Sequence, residues 1–234
     1  ITSLLAILTY SFVGIWNTDG SIYDGLLVVD KFSIFFKSFF IILVVIIILS
    51  SVDYVKTHLD YRGEYYGLLL FTLVAMMLMV SSRELLTSYI SLELLSFGLY
   101  VLVAYERFNL KSNEAATKYI LLGALSSAFL LYGISQIYGL LGTTRYDDIN
   151  SAMISMPDIT PGVMVGMLML VAGLGFKVAA VPFHMWAPDT YEGAPIPVAA
   201  YIAVGSKSAA FALILRLFSE AFIPVIASWQ TILI

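Results

Sequence analysis

Long runs of apolar residues, separated by short polar segments, are the main pattern along the chain. Seven runs approach the length, about 20 residues, at which a helix crosses the hydrocarbon core of a bilayer. They cover Ile1–Trp16, Phe32–Val52, Tyr65–Val80, Leu85–Ala104, Ala115–Leu141, Gly162–Val181 and Pro195–Phe218. Most connections between them are short, which is typical of antiparallel neighbours in a helical bundle. The pattern predicts an all-α protein, a polytopic transmembrane bundle of about seven spans.

The amino-acid composition supports the same class. Of the 234 residues, 60% are hydrophobic and 12% are charged, whereas soluble domains carry about a quarter charged residues. A soluble domain of this length has too little interior to bury so much apolar surface. Composition therefore excludes a soluble enzyme and a disordered chain, and a net charge of −4 gives no attraction for nucleic acid. The absence of cysteine excludes disulfides and cysteine-ligated iron–sulfur clusters.

Apart from Lys37 and Arg216, which lie near span ends, four charged residues lie inside the predicted spans, where an ionised side chain costs about 3 kcal/mol near the bilayer centre on insertion scales. They are Glu93 in the fourth span, Lys118 one turn into the fifth, Lys177 in the sixth and Lys207 in the middle of the seventh. One interpretation is a buried ion pair that locks two helices together. The other is a proton relay, because one glutamate cannot neutralise three lysines and a desolvated lysine can exchange a proton near neutral pH. The excess of lysines favours the relay. Lys118 is its weakest member, since its side chain can also extend to the interface.

The region from Gly173 to Pro197 is rich in residues that interrupt helices. It contains four of the chain's 7 prolines, namely Pro182, Pro188, Pro195 and Pro197. An interior proline removes a backbone hydrogen bond and clashes with the preceding turn. Non-helical backbone within a membrane persists only where protein or a water-filled cavity satisfies it, and broken helices beside ionisable residues mark ion paths in transporters. Because apolar residues continue beyond Pro182, we predict a discontinuous helix here rather than a span that simply ends.

His184 follows this first proline and lies two residues before Trp186. An imidazole changes charge near physiological pH, so His184 can serve as a titratable link at the end of a relay. It can equally be an interfacial histidine beside a tryptophan of the aromatic belt. His58 lies in a charged loop, where we expect it to be solvated. Two histidines so far apart in sequence predict no metal site.

Five short motifs occur in order along the chain. They are ISLELLS (90–96), SNEAATKY (112–119), GFK (175–177) with VPFH (181–184), WAPDTYEGAP (186–195) and GSK (205–207). Together they resemble the antiporter-like membrane subunits of respiratory complex I, and among these most closely the subunit N family, which is called subunit 2 in mitochondria and has a counterpart in the photosynthetic complexes. The most specific string is Pro-Phe-His-x-Trp-x-Pro-Asp-x-Tyr-x-Gly, which begins at Pro182. The resemblance covers nearly the whole chain.

The resemblance implies a role for each of the five candidate residues in a proton relay. Glu93 matches the transmembrane glutamate of the family, and Lys177 matches the lysine of its discontinuous helix, whose protonation that glutamate modulates. Lys207 matches the bridging lysine on the next helix. Lys118 matches a further lysine found in subunit N, and His184 matches the histidine that follows the broken helix.

The family fold consists of two inverted five-helix repeats, each of which forms half of a proton channel. The resemblance therefore implies leading transmembrane helices in residues 1–64, one antiporter-like repeat in residues 65–218 and the start of a further segment in residues 219–234. This chain has no counterpart of the second repeat. Because it begins at Ile1 and ends within an apolar run, Ile232–Ile234, we expect a truncated stretch of the family fold.

The function that the resemblance implies is that of a proton-translocating membrane subunit of NADH:quinone oxidoreductase. Such a subunit is a translocase as part of a complex, and quinone reduction elsewhere drives proton transfer through the Glu/Lys relay. NADH, FMN, iron–sulfur clusters and quinone would belong to partner subunits, since this chain has no nucleotide-binding glycine motif and no cluster ligands. The expected partners are the other membrane-arm subunits, the lipid bilayer and protons, without nucleic acid. The expected location is the cell (inner) membrane, with a mitochondrial or thylakoid membrane as the alternative.

Three other functions fit the same motifs. The chain could be a subunit of a multisubunit Na⁺/H⁺ antiporter or of a membrane-bound hydrogenase, and the proteins that co-purify with it would distinguish these complexes. It could also be a scaffold of the membrane arm that pumps nothing. In a scaffold, Glu93 and Lys177 would stay permanently paired and would tolerate a charge-conserving swap.

Overall fold

The computed structural model describes residues 1–156 and 160–225. Its helices are α1 (Thr2–Val13), α2 (Lys31–His58), α3 (Arg62–Ser81), α4 (Leu85–Val103), α5 (Leu110–Leu141), α6 (Tyr146–Ile154), α7 (Pro161–Val178), α8 (Trp186–Gly193), α9 (Ile196–Tyr201) and α10 (Lys207–Glu220). A π-helical turn, Ile202–Ser206, joins α9 to α10, and a short 3₁₀ turn, Ile223–Val225, follows. In this part of the chain, six helices are long and apolar enough to span a membrane: α2, α3, α4, α5, α7 and the composite helix Ile196–Glu220. The predicted all-α, multi-pass class is confirmed.

The first predicted span, Ile1–Trp16, is shorter than the others in the structure. It corresponds to α1, which has 12 residues and is therefore about 18 Å long. The hydrocarbon core is about 30 Å thick. The described residues thus hold six full-length candidate spans, where the apolar pattern predicted about seven.

The long helices alternate in direction, so the bundle has two ends. α2 begins at Asp30, whose carboxylate accepts a hydrogen bond from the Ser33 amide (2.7 Å) while the Asp30 amide donates to the Ser33 hydroxyl (3.0 Å). This capping box pairs two amides that the helix start leaves free. α2 packs on α3, α3 on α4 and α4 on α5, which begins next to Lys111. We call the two ends of the bundle the Asp30 end and the Lys111 end.

Two small elements at the Asp30 end were not predicted. β1 (Gly20–Ile22) and β2 (Leu27–Val29) form an antiparallel hairpin, which lies against the loop before α4 because the Arg83 amide donates to the Leu26 carbonyl (2.9 Å). α6 lies in the connection between the fifth and sixth predicted spans. Its one apolar face buries Tyr146, Ile149 and Met153, at the spacing typical of a short amphipathic helix.

α7 ends part-way along the length of the bundle rather than at one of its two ends. Near the middle of α5, the Ser126 hydroxyl donates to the Gly173 carbonyl of α7 (2.9 Å). Near the start of α5, Gly193 of α8 lies so close that a Cβ there would be 2.5 Å from the Lys111 carbonyl oxygen. α7 and α8 therefore lie in sequence along one face of α5 and together take the place of a single crossing. The break between them, at residues 179–185, is the discontinuity predicted for the Gly173–Pro197 region.

The domain boundaries at residues 64 and 218 stay predictions. Buried side chains form one contiguous apolar core that includes α2 as well as α3 to α10, so the leading helices pack directly on the predicted repeat. Most of the predicted segment 219–234, namely residues 226–234, lies outside the described residues.

Candidate functional site

The C-terminus of α7 is capped by the two residues that follow it and by Trp186 of the most specific sequence motif. Ala179 takes a left-handed backbone conformation (φ +57°), and the Ala180 amide donates to the Gly175 carbonyl (2.8 Å). The indole Nε1 of Trp186, which is fully buried, donates to the Phe176 carbonyl (2.7 Å). These bonds satisfy carbonyls that a helix end leaves free. The motif therefore stabilises the break, and Lys177 lies in the last turn before it.

Lys177 meets Glu93 of α4 at this break. Lys177 Nζ lies 3.7 Å from Glu93 Oε1, and the two side chains are 9% and 15% exposed. The carbonyl end of α7 carries partial negative charge, which also favours an ammonium there. The structure therefore brings together two of the five predicted relay residues, in the interior of the bundle.

Each member of the pair has a shorter hydrogen bond to a serine. Lys177 Nζ donates to Ser96 Oγ (2.8 Å), one turn along α4 from Glu93. Ser127 Oγ of α5 donates to Glu93 Oε1 (2.6 Å). Since good N–H···O bonds measure about 2.7–3.2 Å, the 3.7 Å contact between the charges is an ion pair without a direct hydrogen bond.

Lys118 lies apart from this pair, in an open cleft at the Lys111 end. Its ammonium binds Glu114 (2.8 Å) and Asp189 (2.9 Å), and its side chain is 43% exposed. Lys111 and Glu192 form a neighbouring exposed ion pair (2.9 Å) across the same cleft of about 240 Å³ between α5 and α8. This alternation of charges neutralises Lys118 locally.

Lys207 is the first residue of α10, directly after the π-helical turn. Its Nζ lies 5.4 Å from the centre of the Tyr191 ring of α8, a distance at which a cation is attracted to an aromatic face. A π turn contains an extra residue and is frequent at functional sites. Within the described residues, Lys207 makes no ion pair of its own.

His184 lies in the break itself, at residues 179–185, and its side chain is exposed in this chain. Its backbone carbonyl accepts from the Ala187 amide (3.0 Å) and so helps to start α8. In the described part of the protein, its imidazole has no hydrogen-bond partner. The structure thus places His184 next to the discontinuity but does not bring its ring to the Glu93–Lys177 pair.

A second buried charge cluster, at the Asp30 end, was missed by the sequence analysis. Arg216 of α10 is fully buried; its Nη2 donates to both Asp30 carboxylate oxygens (2.8 and 3.0 Å), and its Nη1 donates to Glu220 (3.2 Å). Glu220 also accepts from Arg83 Nε (2.8 Å), and Asp147 of α6 lies 3.7 Å from Arg83. We call these five residues the Arg216 cluster. The lengths of the flanking apolar runs placed Arg216 near a span end, but only the folded bundle brings it to Asp30.

The Arg216 cluster holds the pKa of Asp30 below its usual value of 3.8. Burial alone would raise this pKa, but the hydrogen bonds from Arg216 and from the Ser33 amide outweigh burial. Asp30 is therefore ionised at neutral pH and pairs with a guanidinium that is always charged.

Metal ligands are not clustered in the described residues. In residues 1–156 and 160–225, no three His, Asp or Glu side chains lie close enough together to hold a metal ion.

A family model described as NADH:quinone oxidoreductase/Mrp antiporter, transmembrane, matches residues 82–234. The chain belongs to this family. The match includes Glu93, Lys118, Lys177, His184 and Lys207, and the membership confirms the resemblance that the five motifs indicated.

Curated relatives in the family carry a more specific name. The chain is 43% identical to NADH-quinone oxidoreductase subunit N of Desulforamulus reducens over 98% of its own length. It is also 43% identical to subunit N of Trichlorobacter lovleyi over 99% of its length. Both matches cover 48% of the relative, so the chain spans about half the length of these family members.

Solved structures of family members share the fold. A chain of respiratory complex I from Thermus thermophilus with bound aureothin is 34% identical, with a TM-score of 0.76, over 92% of this chain and 46% of that one. A chain of the Mrp complex from Dietzia sp. DQ12-45-1b has a TM-score of 0.80 at 21% identity, over 94% of this chain and 42% of that one. The bundle is therefore the antiporter-like fold of these membrane subunits.

Proposed function

We propose that this chain is part of a proton-translocating membrane subunit of NADH:quinone oxidoreductase, and that Glu93 and Lys177 form its proton-exchanging pair. Quinone reduction elsewhere in the complex would drive a proton past this pair. The curated relatives named subunit N support the choice of complex.

The observation that carries the proposal is the loose pairing of two opposite charges at a helix break. Glu93 Oε1 and Lys177 Nζ lie 3.7 Å apart, among side chains that are almost wholly buried. A pair that served only to lock α4 to α7 would gain most from direct hydrogen bonds between the charges. Lysine, unlike arginine, can also lose its proton when it is desolvated. The arrangement suits a group that changes its protonation state.

Lys118, Lys207 and His184 are the further members of the proposed relay. Each matches a position in the family motifs, and all three lie around α8: Lys118 against Asp189, Lys207 over Tyr191 and His184 just before its start. We propose that the cleft at Lys118 is the open side of the path. Lys207 would pass the proton onward, away from the break.

The wider assembly follows from the same proposal. NADH, FMN, iron–sulfur clusters and quinone would bind to partner subunits, and the partners of this chain would be the other membrane-arm subunits, lipid and protons. The membrane would be the cell (inner) membrane, since the relatives reported above are bacterial proteins.

The test uses the complete complex with this subunit, reconstituted into liposomes. NADH and a soluble quinone start turnover, and quenching of a pH-sensitive dye reports proton uptake at equal rates of NADH oxidation. Lys177→Ala and Glu93→Gln should lower the quench, whereas Lys56→Ala, at an exposed lysine of α2 outside the proposed path, should not. An assembled Lys177→Ala complex with the normal quench would refute the proposal.

The second candidate is a subunit of a multisubunit Na⁺/H⁺ antiporter, favoured by the family description and by the fold shared with the Mrp complex. The same liposomes separate the two functions. An imposed Na⁺ gradient that moves protons without NADH would favour the antiporter. Dependence of proton uptake on NADH and quinone would favour the first proposal.

A further inference from the structure

Glu93 and Lys177 each make a closer contact with a serine than with each other. The bonds Ser127 Oγ to Glu93 Oε1 (2.6 Å) and Lys177 Nζ to Ser96 Oγ (2.8 Å) are both shorter than the 3.7 Å between the charges. Ser96 comes from α4 and Ser127 from α5, and both are buried. The pair therefore lies between two hydroxyl groups that face it from different helices.

Each serine also has a second partner on its own helix. Ser96 Oγ donates to the Leu92 carbonyl (2.8 Å), and Ser127 Oγ lies 3.0 Å from the Gly123 carbonyl. A hydroxyl has one proton to donate and two lone pairs that accept. Each hydroxyl can consequently turn between a charged side chain and a backbone carbonyl.

With both side chains charged, every group has a partner. Ser127 donates to the Glu93 carboxylate, while Ser96 accepts from the Lys177 ammonium and donates to the Leu92 carbonyl.

With both side chains neutral, the same two serines can serve again. If one proton moves from the Lys177 ammonium to the Glu93 carboxylate, the pair keeps its total number of protons and becomes an amine and a carboxylic acid. The acid can then donate to Ser127 Oγ, whose own proton turns to the Gly123 carbonyl, and Ser96 can donate to the amine nitrogen. Both carbonyls lie within continuous helices. Neither state leaves a buried polar group without a bond, which would cost about 1–3 kcal/mol.

We propose that Ser96 and Ser127 are positioning residues that keep Glu93 and Lys177 hydrogen-bonded in both protonation states. The inference rests on the function proposed above and deepens it. Hydrogen bonds to the charged groups are the stronger ones, so the two hydroxyls favour the charged pair, and they still give hydrogen bonds to the neutral pair when it forms within the apolar bundle.

Among the described residues, three phenols interact electrostatically with Glu93. They are Tyr89 and Tyr100 on α4 and Tyr119 on α5. A phenol is neutral across the range in which pumping is measured. In the described residues, Glu93 is the one charged side chain that acts on Lys177, so a change in the pH profile of pumping reports this pair.

The experiment measures proton uptake by the reconstituted complex over a series of pH values, with NADH and a soluble quinone. Ser127→Ala and Ser96→Ala each remove one hydroxyl without adding bulk. Ser126→Ala and Ser91→Ala are the matched controls. Ser126 is the neighbour of Ser127 on α5 and bonds the Gly173 carbonyl, and Ser91 of α4 bonds only the Thr87 carbonyl of its own helix.

The two test variants should shift the pH profile in opposite directions, each by about one pH unit. Ser127→Ala removes a donor that stabilises a negative charge, so its profile should move to higher pH. Ser96→Ala removes an acceptor that stabilises a positive charge, so its profile should move to lower pH. Both controls should keep the wild-type profile.

Unshifted profiles, or shifts in the same direction, would overturn the inference. Lys177→Ala, assayed in parallel, separates this failure from that of the proposed function. If Lys177→Ala lowers proton uptake and the serine variants behave like their controls, only the role of the serines is wrong. If Lys177→Ala pumps normally, the proposed function itself is wrong.

Discussion

The Glu93–Lys177 pair and the Arg216 cluster both hold a buried cation between helices, but they are built differently. Arg216 donates two hydrogen bonds to Asp30 at 2.8 and 3.0 Å and a third to Glu220 at 3.2 Å. Lys177 makes no direct hydrogen bond to Glu93, which lies 3.7 Å away, and each of the two binds a serine instead. One cluster lies at the end of the bundle and the other at a helix break in its interior.

Under the proposed function, this difference separates a fixed ion-pair cluster from a pair that changes its protonation state. A guanidinium stays charged and binds a carboxylate through two parallel bonds, which fixes geometry as well as charge. The Arg216 cluster links the start of α2, the loop before α4, α6 and α10 in this way. An ammonium that is bonded to a neutral hydroxyl can lose its proton without breaking such a cluster. We therefore expect the Arg216 cluster to control stability and the Glu93–Lys177 pair to control proton transport.

The largest loss of stability should come from Arg216→Met. This change removes the fully buried guanidinium, leaves Asp30 without its ion-pair partner and leaves Glu220 with Arg83 alone. Breaking a buried ion pair on one side costs about 3–5 kcal/mol of unfolding free energy. Denaturant unfolding of the purified protein in detergent, followed by circular dichroism, measures the loss.

A double variant provides the control for this prediction. Asp30→Asn keeps a good N-cap for α2 and removes the unpaired charge, so Arg216→Met with Asp30→Asn should recover part of the loss. A double variant as unstable as the single one would show that packing of Arg216, on Phe32 for example, matters more than its charge.

Lys177→Met should lose much less stability, about 1–2 kcal/mol, although it should impair proton uptake. Glu93 keeps its bond from Ser127, so its carboxylate stays hydrogen-bonded without the ammonium. The same unfolding experiment measures this loss. A loss as large as that of Arg216→Met would contradict the contrast between the two clusters and would favour a locking role for Lys177.

The next largest loss of stability should come from acid, which protonates Asp30 in the Arg216 cluster. Because the pKa of Asp30 is lowered in the folded protein, its contribution to stability is complete above its unfolded pKa, near 3.8. That contribution disappears as the pH falls through the lower folded pKa, when the carboxylate gains a proton. Unfolding measured at decreasing pH should show this loss in the wild type and only weakly in the double variant. An equal acid dependence in both would show that other carboxylates control it.

The smallest effect on stability should come from Lys118→Gln. Its two ion pairs lie in an open cleft, where water and salt screen the charges. The melting temperature should fall less than in Lys177→Met, and the difference should vanish as the salt concentration increases. A salt-independent loss would show that the cleft is closed to water.

Parts of this picture could be predicted from residues alone. Glu93 and Lys177 were recognisable because charges are rare within apolar runs, and the prolines after Lys177 indicated a break. Ser96 and Ser127 were not recognisable as their partners, since serine is common in these helices and only the rotation of α4 and α5 brings these two hydroxyls to the pair. Arg216 was missed because a charge near the end of an apolar run usually reaches water.

The π-helical turn before Lys207 has a consequence for the whole of this last span. The π turn contains one residue more than an α-helical turn. This extra residue rotates the following part of the helix by about 100° about the helix axis. Before the turn, Tyr201 bonds Thr72 of α3 (2.9 Å), and after it, Arg216 bonds Asp30. The helices α9 and α10 therefore differ in register by one residue. Deletion of a single residue of the turn, such as Val204, would make the whole span one continuous α-helix. Either the Tyr201–Thr72 bond or the Arg216–Asp30 bond would then break. Lys207, which directly follows the π turn, would rotate about the helix axis together with the part of the span that moves.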